Sequence, residues 1–428
     1  MKIGIIGLGY VGLPLVIQFA KAGAQVLGID VDQEKVDVLN KGESYIKHIP
    51  ASEVQAQLDA GQFKATTDYA RVQELDAVLI CVPTPLDDNR EPDLSYILNT
   101  GRAIAPHLPM GIVVSLESTT YPGTTEDELC PILEQGSGMA AGTGFYLAYS
   151  PEREDPGNPD SQVAKIPKVI GGYTPACLEK AKAVYNIAIE TLVPVSSCRA
   201  AEATKLTENV FRSVNIALVN ELKIIYQKMG IDIWEVIEAA KTKPFGYMPF
   251  YPGPGLGGHC IPIDPFYLSW KAKQYGMEAH FIELAGEVNT SMPDYVIERL
   301  EGALRAQGKT IEESKVLLVG LAYKPNVDDT RESPGYVLIE NLEAKGSVVD
   351  YHDPHVPVIP PSRKYSRFAG RKSIPWTAKA MSQYDAAIIA TAHSVVKHVE
   401  LSNWIPCIVD TRNAMASSEA IGATLTKA

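Results

Sequence analysis

The sequence lacks any apolar run long enough to cross a membrane, because nowhere do about 18 or more apolar residues follow one another. The N-terminus also leaves no room for a secretory signal, since a short apolar segment passes into glycine-rich sequence within a few residues. Basic residues are comparatively few: 39 Lys and Arg stand against 51 Asp and Glu, a formal net charge of -12. An acidic chain is a poor partner for nucleic acid or an anionic membrane. These absences predict a cytoplasmic protein that binds neither.

Cysteine is scarce, and its spacing shows neither the paired pattern of a metal site nor the density of a secreted disulfide scaffold. A reducing compartment and no bound metal are therefore expected. The composition, 46% hydrophobic and 21% charged over 428 residues, is that of a globular protein with two or three domains. The six cysteines are Cys81, Cys130, Cys177, Cys198, Cys260 and Cys407.

The N-terminal segment MKIGIIGLGYVGLPL combines a buried-type strand with a G-x-G-x-x-G motif that opens a helix. A second apolar run, from Gln25 to Ile29, ends in Asp30. Strand, glycine turn, helix, second strand and terminal acid together are the context of a dinucleotide site. An acid at position 30 favours NAD over NADP, because it binds ribose hydroxyls and repels a 2′-phosphate. The alternative is a strand-turn-helix without a nucleotide. The motif glycines are Gly7, Gly9 and Gly12.

Further short apolar runs at residues 76–82, 111–117 and 145–150 are separated by helix-length segments, which predicts a doubly wound parallel sheet. Each run ends in polar or turn-forming residues, where such sheets bind ligands. Thr84 and Thr119 are candidate nucleotide contacts. Glu152 is a candidate for orienting water or holding a cation, and Arg153 is a candidate for binding a phosphate. The alternative for each is a helix cap or turn residue.

From about Arg199 the pattern becomes one long helix with apolar residues every three or four positions, followed by helices over 231–240 and from 278 to about Pro293. Lys205, Asn209 and Arg212 share a face of the long helix and suit an oxyanion and a phosphorylated sugar, although a solvated polar face would look the same. The broad apolar face of this helix is a candidate subunit interface, so we expect a homodimer.

The loop GPGLGGHCIPIDPFYL, residues 253–268, sets Cys260 among glycines and prolines. A thiol presented in this way can attack a carbonyl carbon and carry a thioester. His259 as a cation would lower the thiol pKa, and Asp264 lies close enough in sequence to orient water. The alternative is that Cys260 is a small buried hydrophobe.

After Lys309 a second α/β module begins with KVLLVGLAYKPNVDDTRESP. This module coarsely repeats the pattern of the first module. Its segment DAAIIAT corresponds to DAVLICV, and its segment GSVVDYHDP corresponds to the strand that ends at Asp30. The G-x-G-x-x-G motif is missing, so a ligand other than a dinucleotide is expected. Lys324 and Arg331 are placed to contact its phosphate or ribose groups.

GLGYVGLP, CVPTP, ESTTYPGTTE, SPERE, KLTEN, GGHCIPIDP and YKPNVDDTRESP together resemble the nucleotide-sugar 6-dehydrogenase family over about residues 1–415. The resemblance implies two Rossmann-like α/β domains joined by a helical domain with a long helix. It assigns NAD binding to residues 1–198, the cysteine loop and dimerisation to 199–308, and UDP binding to 309–428. It also implies four-electron oxidation of a UDP-hexose at carbon six through a cysteine thioester, with two NAD reduced.

The same resemblance assigns roles to matching positions. Cys260 would be the nucleophile, Lys205 and Asn209 would stabilise the oxyanion, and Lys205 would also be a candidate for proton transfer. Asp264, Thr119 and Glu152 would position water and shuttle protons. The substrate contacts would be Glu152, Arg153, Glu154, Lys205, Asn209, Arg212, Gly257, Tyr323 and Lys324. The NAD contacts would be Gly7, Gly9, Tyr10, Val11, Gly12, Asp30, Lys35, Thr84, Thr119 and Arg331.

Departures from the glucose-type branch narrow the substrate. That branch usually has serine and lysine where this chain has His259 and Ile263, whereas GGHC is typical of enzymes for UDP-N-acetylhexosamines. The loop looks most like the UDP-N-acetylglucosamine type, which supplies uronic acid for surface polysaccharide. The N-acetylmannosamine, N-acetylgalactosamine and glucose nucleotides are the alternatives. A non-catalytic nucleotide-sugar binder and a two-electron dehydrogenase are the alternatives from other classes.

Overall fold

The computed structural model describes residues 1–46, 49–87, 91–153, 165–258, 261–362, 364–416 and 423–428. These residues form two compact units. Unit 1 contains Met1–Asn209 and Phe266–Glu278, and unit 2 contains Val210–Pro265 and Ala279–Ala428. The division into three domains at residues 198 and 308 stays a prediction. In the part of the chain that is described, no helix is both long and apolar enough to span a bilayer.

Unit 1 is built on an eight-stranded sheet. Its strands are β1 (Lys2–Ile6), β2 (Gln25–Ile29), β3 (Phe63–Thr66), β4 (Ala77–Ile80), β5 (Val113–Leu116), β6 (Tyr146–Tyr149), β7 (Lys168–Gly172) and β8 (Leu192–Val195). Their order is β3-β2-β1-β4-β5-β6-β7-β8, and the first six follow the order of a dinucleotide-binding fold. The predicted strands are present, whereas β3, β7 and β8 were not predicted.

One pairing corrects the expectation of a wholly parallel sheet, because β6 and β7 run antiparallel. A parallel neighbour requires a crossover connection, usually a helix. β6 ends at Tyr149 and β7 begins at Lys168, and the paired residues are Ala148 with Gly172 and Tyr149 with Gly171.

The helices of unit 1 cover both faces of its sheet, and side chains alternate between two cores along each strand. On β1, Ile3 and Ile5 enter one core and Ile6 enters the other, all at most 1% exposed. Burial on both faces explains why these strands read as continuous apolar runs. The helices are α1 (Gly12–Lys21), α2 (Gln33–Asn40), α3 (Ala51–Asp59), α4 (Ser95–Ile104), α5 (Cys130–Ser137) and α6 (Pro175–Tyr185), with a π-helical segment at Thr124–Leu129.

The middle of the chain is helical, as predicted, with two corrections. The helices are α7 (Cys198–Lys228), α8 (Ile233–Ala240), α9 (Asp264–Gln274) and α10 (His280–Arg305). The helix α10 continues past Pro293, because buried residues on both sides, Met292 and Val296, hold it in place despite the missing N–H. The cysteine loop is shorter than predicted, since α9 begins at Asp264 with Pro265 in the position that helices favour for proline.

Unit 2 contains a five-stranded parallel sheet in the order β10-β9-β11-β12-β13. Its strands are β9 (Lys315–Val319), β10 (Val348–His352), β11 (Ala386–Ile389), β12 (Cys407–Asp410) and β13 (Thr424–Lys427), and its helices α11 (Pro334–Ala344) and α12 (Ala378–Met381) follow. This order is the second common form of the doubly wound fold, whose ligands bind where the strand order reverses. The loops after β9 and β11 lie at that point.

Candidate active site

The turn after β1 requires glycine for steric reasons. Gly7 has a φ of 90°, and a Cβ there would lie 2.5 Å from the carbonyl oxygen of Cys81. A Cβ on Gly12 would lie 1.8 Å from the carbonyl oxygen of Gly7, so the helix could not start this close to the strand. At Gly9 a Cβ would meet nothing within 4 Å. The side of the turn at Gly9 is therefore open to a ligand, as pyrophosphate binding demands.

Asp30 ties the second strand to this turn. Its Oδ2 accepts a hydrogen bond of 2.8 Å from the N–H of Leu8, and its Oδ1 accepts one of 3.0 Å from the N–H of Asp32. The Nζ of Lys35 lies 3.9 Å from Oδ2. Each carboxylate oxygen keeps acceptor capacity, so the residues present fit the ribose diol of a dinucleotide. Tyr10 and Val11 are half-buried against the core beside the turn.

Thr84 lies on the loop after β4, and the strand order of unit 1 reverses between β1 and β4. Thr119 lies on the loop after β5, the strand next to β4. The Oγ of Ser118 donates to the carbonyl oxygen of Val82 at 2.7 Å, which joins the two loops. Thr84 is buried, and its carbonyl oxygen accepts a hydrogen bond from the hydroxyl of Tyr267. Thr119 is half-buried. Both threonines thus belong to the loops that surround a nucleotide in this fold.

A buried cluster of charges lies next to these loops. A cationic partner was one of the roles predicted for Glu152, but Lys168 as that partner and Glu117 as a second carboxylate were not predicted. The ammonium of Lys168 lies 2.7 Å from Oε2 of Glu117 and 3.2 Å from Oε2 of Glu152. The hydroxyl of Tyr185 donates to Glu117 as well. Burial raises the pKa of Glu117, and although Lys168 opposes this, Glu152 adds to it. Burial alone would lower the pKa of Lys168, but the two carboxylates outweigh it and raise that pKa.

The structure brings Glu152 and Lys205 together, since the ammonium of Lys205 donates to the carbonyl oxygen of Glu152 at 2.7 Å. Arg153 instead pairs with Glu208, at 2.6 Å between Nη2 and Oε1. Asn209, one turn after Lys205, is 3% exposed. Arg212 is exposed, and Glu154 lies outside the described residues.

In unit 2 the glycines of the cysteine loop allow close contact with the loop after β9. A Cβ on Gly257 would lie 2.7 Å from Cβ of Tyr323, and one on Gly258 would lie 2.8 Å from its ring. The N–H of Gly258 donates to the carbonyl oxygen of Arg331 at 3.0 Å. These contacts fix the loop immediately before Cys260. Cys260 and His259 lie outside the described residues, and Asp264 is 1% exposed at the start of α9.

The turn after β9 has the same hydrogen bond between a backbone N–H and an aspartate as the turn after β1, but its aspartate has more hydrogen-bond partners. Leu321 donates its N–H to Oδ2 of Asp353 at 2.7 Å, as Leu8 does to Asp30. Oδ2 of Asp353 also accepts from the N–H of Ala322 and from Nε2 of His393, and Oδ1 accepts from two further N–H groups. Burial would raise the pKa of Asp353, but these hydrogen bonds lower it to about 2. Its acceptor sites are used within unit 2, which distinguishes it from Asp30.

Arg331, predicted to contact NAD, forms a bidentate ion pair with Asp329, at 2.6 Å between Nη2 and Oδ2. Tyr323 and Lys324 are half-buried on the loop after β9, at the point where the strand order of unit 2 reverses. Their position fits the predicted contact with a nucleotide sugar.

A second cluster that was not predicted contains two cations. Lys223 on α7 is 4% exposed, and its ammonium lies 3.4 Å from the carbonyl oxygen of Gly253 and 5.1 Å from the ring centroid of Tyr295. The guanidinium of Arg412 packs against Gly253, since a Cβ there would lie 2.4 Å from Nη1. Burial and, secondarily, Arg412 lower the pKa of Lys223 to about 7. Among the described residues no carboxylate lies within ion-pair distance of Lys223.

The strand order, the glycine turn and the acid after β2 define a dinucleotide-dependent dehydrogenase. Comparison with known proteins gives the family. Residues 1–189 match the NAD binding domain, 199–291 the central domain and 317–417 the UDP binding domain of the UDP-glucose/GDP-mannose dehydrogenase family. The chain belongs to this family and its cofactor is NAD, so the resemblance based on the motifs is confirmed.

Three relatives are similar to the chain over nearly its whole length. The UDP-N-acetyl-D-glucosamine 6-dehydrogenase of Pseudomonas aeruginosa is 35% identical, covering 94% of this chain and 93% of that protein. The UDP-N-acetyl-D-mannosamine dehydrogenase of Escherichia coli K12 is 37% identical, covering 94% and 96%. The solved structure of the UDP-D-ManNAc dehydrogenase of Pyrococcus horikoshii has a TM-score of 0.90 at 32% identity, covering 100% and 99%. The predicted fold class is confirmed, and the chain is an NAD-dependent UDP-sugar dehydrogenase.

Proposed function

We propose that the chain oxidises carbon six of UDP-N-acetyl-D-glucosamine to the uronic acid, for use in surface polysaccharide. The observation that carries the proposal is the close packing of Gly257 and Gly258 on Tyr323, because these two glycines begin the GGHC motif in the sequence. The Pseudomonas aeruginosa relative supports the choice of hexose, and the Escherichia coli relative makes UDP-N-acetylmannosamine the first alternative.

The proposed reaction converts a primary alcohol, water and two NAD to a carboxylic acid, two NADH and two protons. NAD, when bound, accepts one hydride in each of two oxidation steps. After the first oxidation the thiolate of Cys260 adds to the aldehyde carbon, and a proton goes to the new alkoxide. The second oxidation leaves a thioester, and water then displaces the thiol to give the acid.

The proposed roles of the polar residues follow their chemistry. Lys205 and Asn209 donate to the oxygen that gains charge at carbon six, and Lys205 also transfers protons. Asp264, Glu152 and Thr119 position the attacking water and carry its proton. The substrate contacts are Arg153, Glu154, Arg212, Gly257, Tyr323 and Lys324. The NAD contacts are Gly7, Gly9, Tyr10, Val11, Gly12, Asp30, Lys35, Thr84, Thr119 and Arg331.

The test is the yield of NADH per mole of UDP-N-acetylglucosamine, with excess NAD and mass analysis of the nucleotide product. We expect two equivalents and a uronic acid, because both oxidations occur at one carbon. With NADP in place of NAD the rate is expected to fall, since the carboxylate of Asp30 repels the 2′-phosphate. One equivalent and an aldehyde would contradict the thioester mechanism. Binding without any NADH would favour a non-catalytic binder.

The same assay separates the sugars. UDP-N-acetylmannosamine, UDP-N-acetylgalactosamine and UDP-glucose are compared with UDP-N-acetylglucosamine at equal concentration by kcat/KM. A higher kcat/KM for any of the three would replace the proposed substrate and leave the reaction class intact.

We also propose that the protein is a homodimer formed through α7. Phe211, Leu218 and Ile225 recur every seven residues, which puts them on one stripe of the helix, and each is at least 45% exposed. A two-fold axis would lay this stripe against its copy, the self-complementary arrangement of most soluble dimers. The cytoplasm remains the proposed location.

Leu218→Glu is expected to convert the dimer to a monomer, because it puts a charge in the middle of an apolar interface. Sedimentation equilibrium measures the mass. Met110→Glu is the matched control, since Met110 is 76% exposed and lies in unit 1, off the stripe. A Leu218→Glu protein that stays dimeric would contradict the α7 interface.

A further inference from the structure

The buried ammonium of Lys168 is fully used by acceptors from two neighbouring segments. It donates to Oε2 of Glu117 at 2.7 Å, to Oε2 of Glu152 at 3.2 Å and to the carbonyl oxygen of Pro151 at 3.2 Å. An ammonium has three N–H donors, so the three acceptors match its capacity. Lys168 therefore holds both the carboxylate of Glu152 and the peptide that precedes it.

The same peptide segment carries the acceptor of Lys205. The ammonium of Lys205 donates at 2.7 Å to the carbonyl oxygen of Glu152, one residue after the carbonyl group held by Lys168. A movement of residues 151 and 152 would therefore displace the Glu152 carboxylate and the Lys205 ammonium together. Both are residues that the proposed function uses for proton transfer.

Glu117 keeps Lys168 in place from the other side. It is 2% exposed at the end of β5, and its second oxygen accepts from the hydroxyl of Tyr185, which also lies 2.8 Å from Oγ of Ser115. Two carboxylates share one ammonium, so the cluster carries a net negative charge when both are ionised. The buried Glu117 could be neutralised by Lys168 alone, so neutralisation of Glu117 does not explain why the same ammonium also donates to the half-buried carboxylate of Glu152.

We propose that Lys168, anchored by Glu117, is a positioning residue of the reaction: it holds the Glu152 carboxylate in place and fixes the main-chain acceptor of Lys205. The inference rests on the proposed function for the roles of Glu152 and Lys205. The Oε1 of Glu152 also accepts a hydrogen bond of 2.7 Å from the N–H of Arg153. The charged and titratable groups around this carboxylate in unit 1 include Lys168, Glu117, Tyr185, Cys81, Lys205 and the Arg153–Glu208 pair.

The test uses Lys168→Met and the double variant Glu117→Gln/Lys168→Met. The single variant leaves Glu117 buried without its cation, which destabilises the protein whether or not Lys168 positions anything. The double variant removes that unpaired charge, so its thermal midpoint is expected to recover toward that of the wild type. Its kcat is expected to stay roughly 10- to 100-fold low, which is less than the roughly 100- to 10,000-fold contribution of a proton-transfer group, because the group is displaced and not removed. The KM for NAD is expected to change less than about threefold.

A pH profile separates positioning from stability. Loss of the ammonium that donates to Glu152 raises the pKa of that carboxyl, and loss of the Glu117 charge offsets part of the rise. The acidic limb of the kcat profile is therefore expected to move upward by about one pH unit in the double variant. A double variant that regains stability together with wild-type kcat and pH profile would overturn the proposal. Wild-type protein that gives no NADH with any UDP-sugar would instead count against the proposed function.

A second readout needs no substrate. In a crystal structure of the double variant the contact between the Lys205 ammonium and the Glu152 carbonyl oxygen, 2.7 Å in the wild type, is expected to be lost or lengthened beyond hydrogen-bond distance. An unchanged contact and an unmoved carboxylate would overturn the positioning role, whatever the chain oxidises.

Discussion

Cys260→Ala is expected to abolish formation of the uronic acid. Without the thiol no thiohemiacetal can form, so the second oxidation has no covalent substrate and the thioester is never made. The first oxidation does not need the sulfur, so NADH should not exceed one equivalent per sugar. Mass analysis of the nucleotide product and the absorbance of NADH measure both quantities in the same reaction.

The control is a second cysteine in the same protein. Cys407→Ala removes a thiol that is buried in β12 and that no step of the proposed reaction uses. This variant is expected to lose some stability and to keep two equivalents of NADH per sugar. Acid formation by Cys260→Ala at more than a trace of the wild-type rate would rule out the thioester, and the water would then have to attack the aldehyde directly.

Local patterns in the sequence predicted the parts of the fold that local sterics determine. Gly7 and Gly12 could be recognised because a strand and a helix this close leave no room for a Cβ, a requirement that shows as residue type. Asp30 could be recognised because it follows the next buried strand at a fixed interval. The long helix α7 follows from a repeating apolar pattern, which needs no knowledge of distant residues.

The buried charge cluster could not be predicted in this way. Lys168 is 51 residues from Glu117 and 16 from Glu152 in sequence, so its ion pairs exist only once β5 and β7 belong to one sheet. The sequence signal was a lysine at the start of an apolar run, KVIGG, which also describes an ordinary strand end. The antiparallel pairing of β7 with β6 could not be predicted for the same reason. The direction in which two strands pair depends on the connection between them and not on the residues within the strands.

Lys223 shows a further limit, because its environment is assembled from α7, the loop at Gly253, α10 and the segment after β12. In the sequence it is one lysine in a helix of mixed polarity. In unit 2 it is buried with its ammonium near a second cation, Arg412, and its pKa falls to about 7. No carboxylate among the described residues pairs with this buried cation, so its burial lowers the stability of the folded protein. Proteins keep such a destabilising residue where function requires it.

Lys223→Met is therefore expected to stabilise the ligand-free protein, and the gain should depend on pH. The pKa of Lys223 is lowered in the folded state, so the unfolded chain binds the extra proton between about pH 7 and 10.5. The cost of burying Lys223 is thus complete below about pH 7 and disappears as the pH rises toward 10.5. At 1.36 kcal/mol for each pKa unit, a change from 10.5 to about 7 gives a full cost on the order of 5 kcal/mol.

Urea unfolding at pH 6.5 and pH 10 measures the effect. We expect Lys223→Met to raise the free energy of unfolding by roughly 4 to 5 kcal/mol at pH 6.5 and by about 1 kcal/mol at pH 10. Lys228→Met is the matched control, since Lys228 lies on the same helix and is exposed, and its effect should be small at both values. A Lys223→Met protein that is less stable than the wild type at pH 6.5 would mean that the folded chain stabilises the charged ammonium. In that case an anionic partner for Lys223 must be present even without substrate.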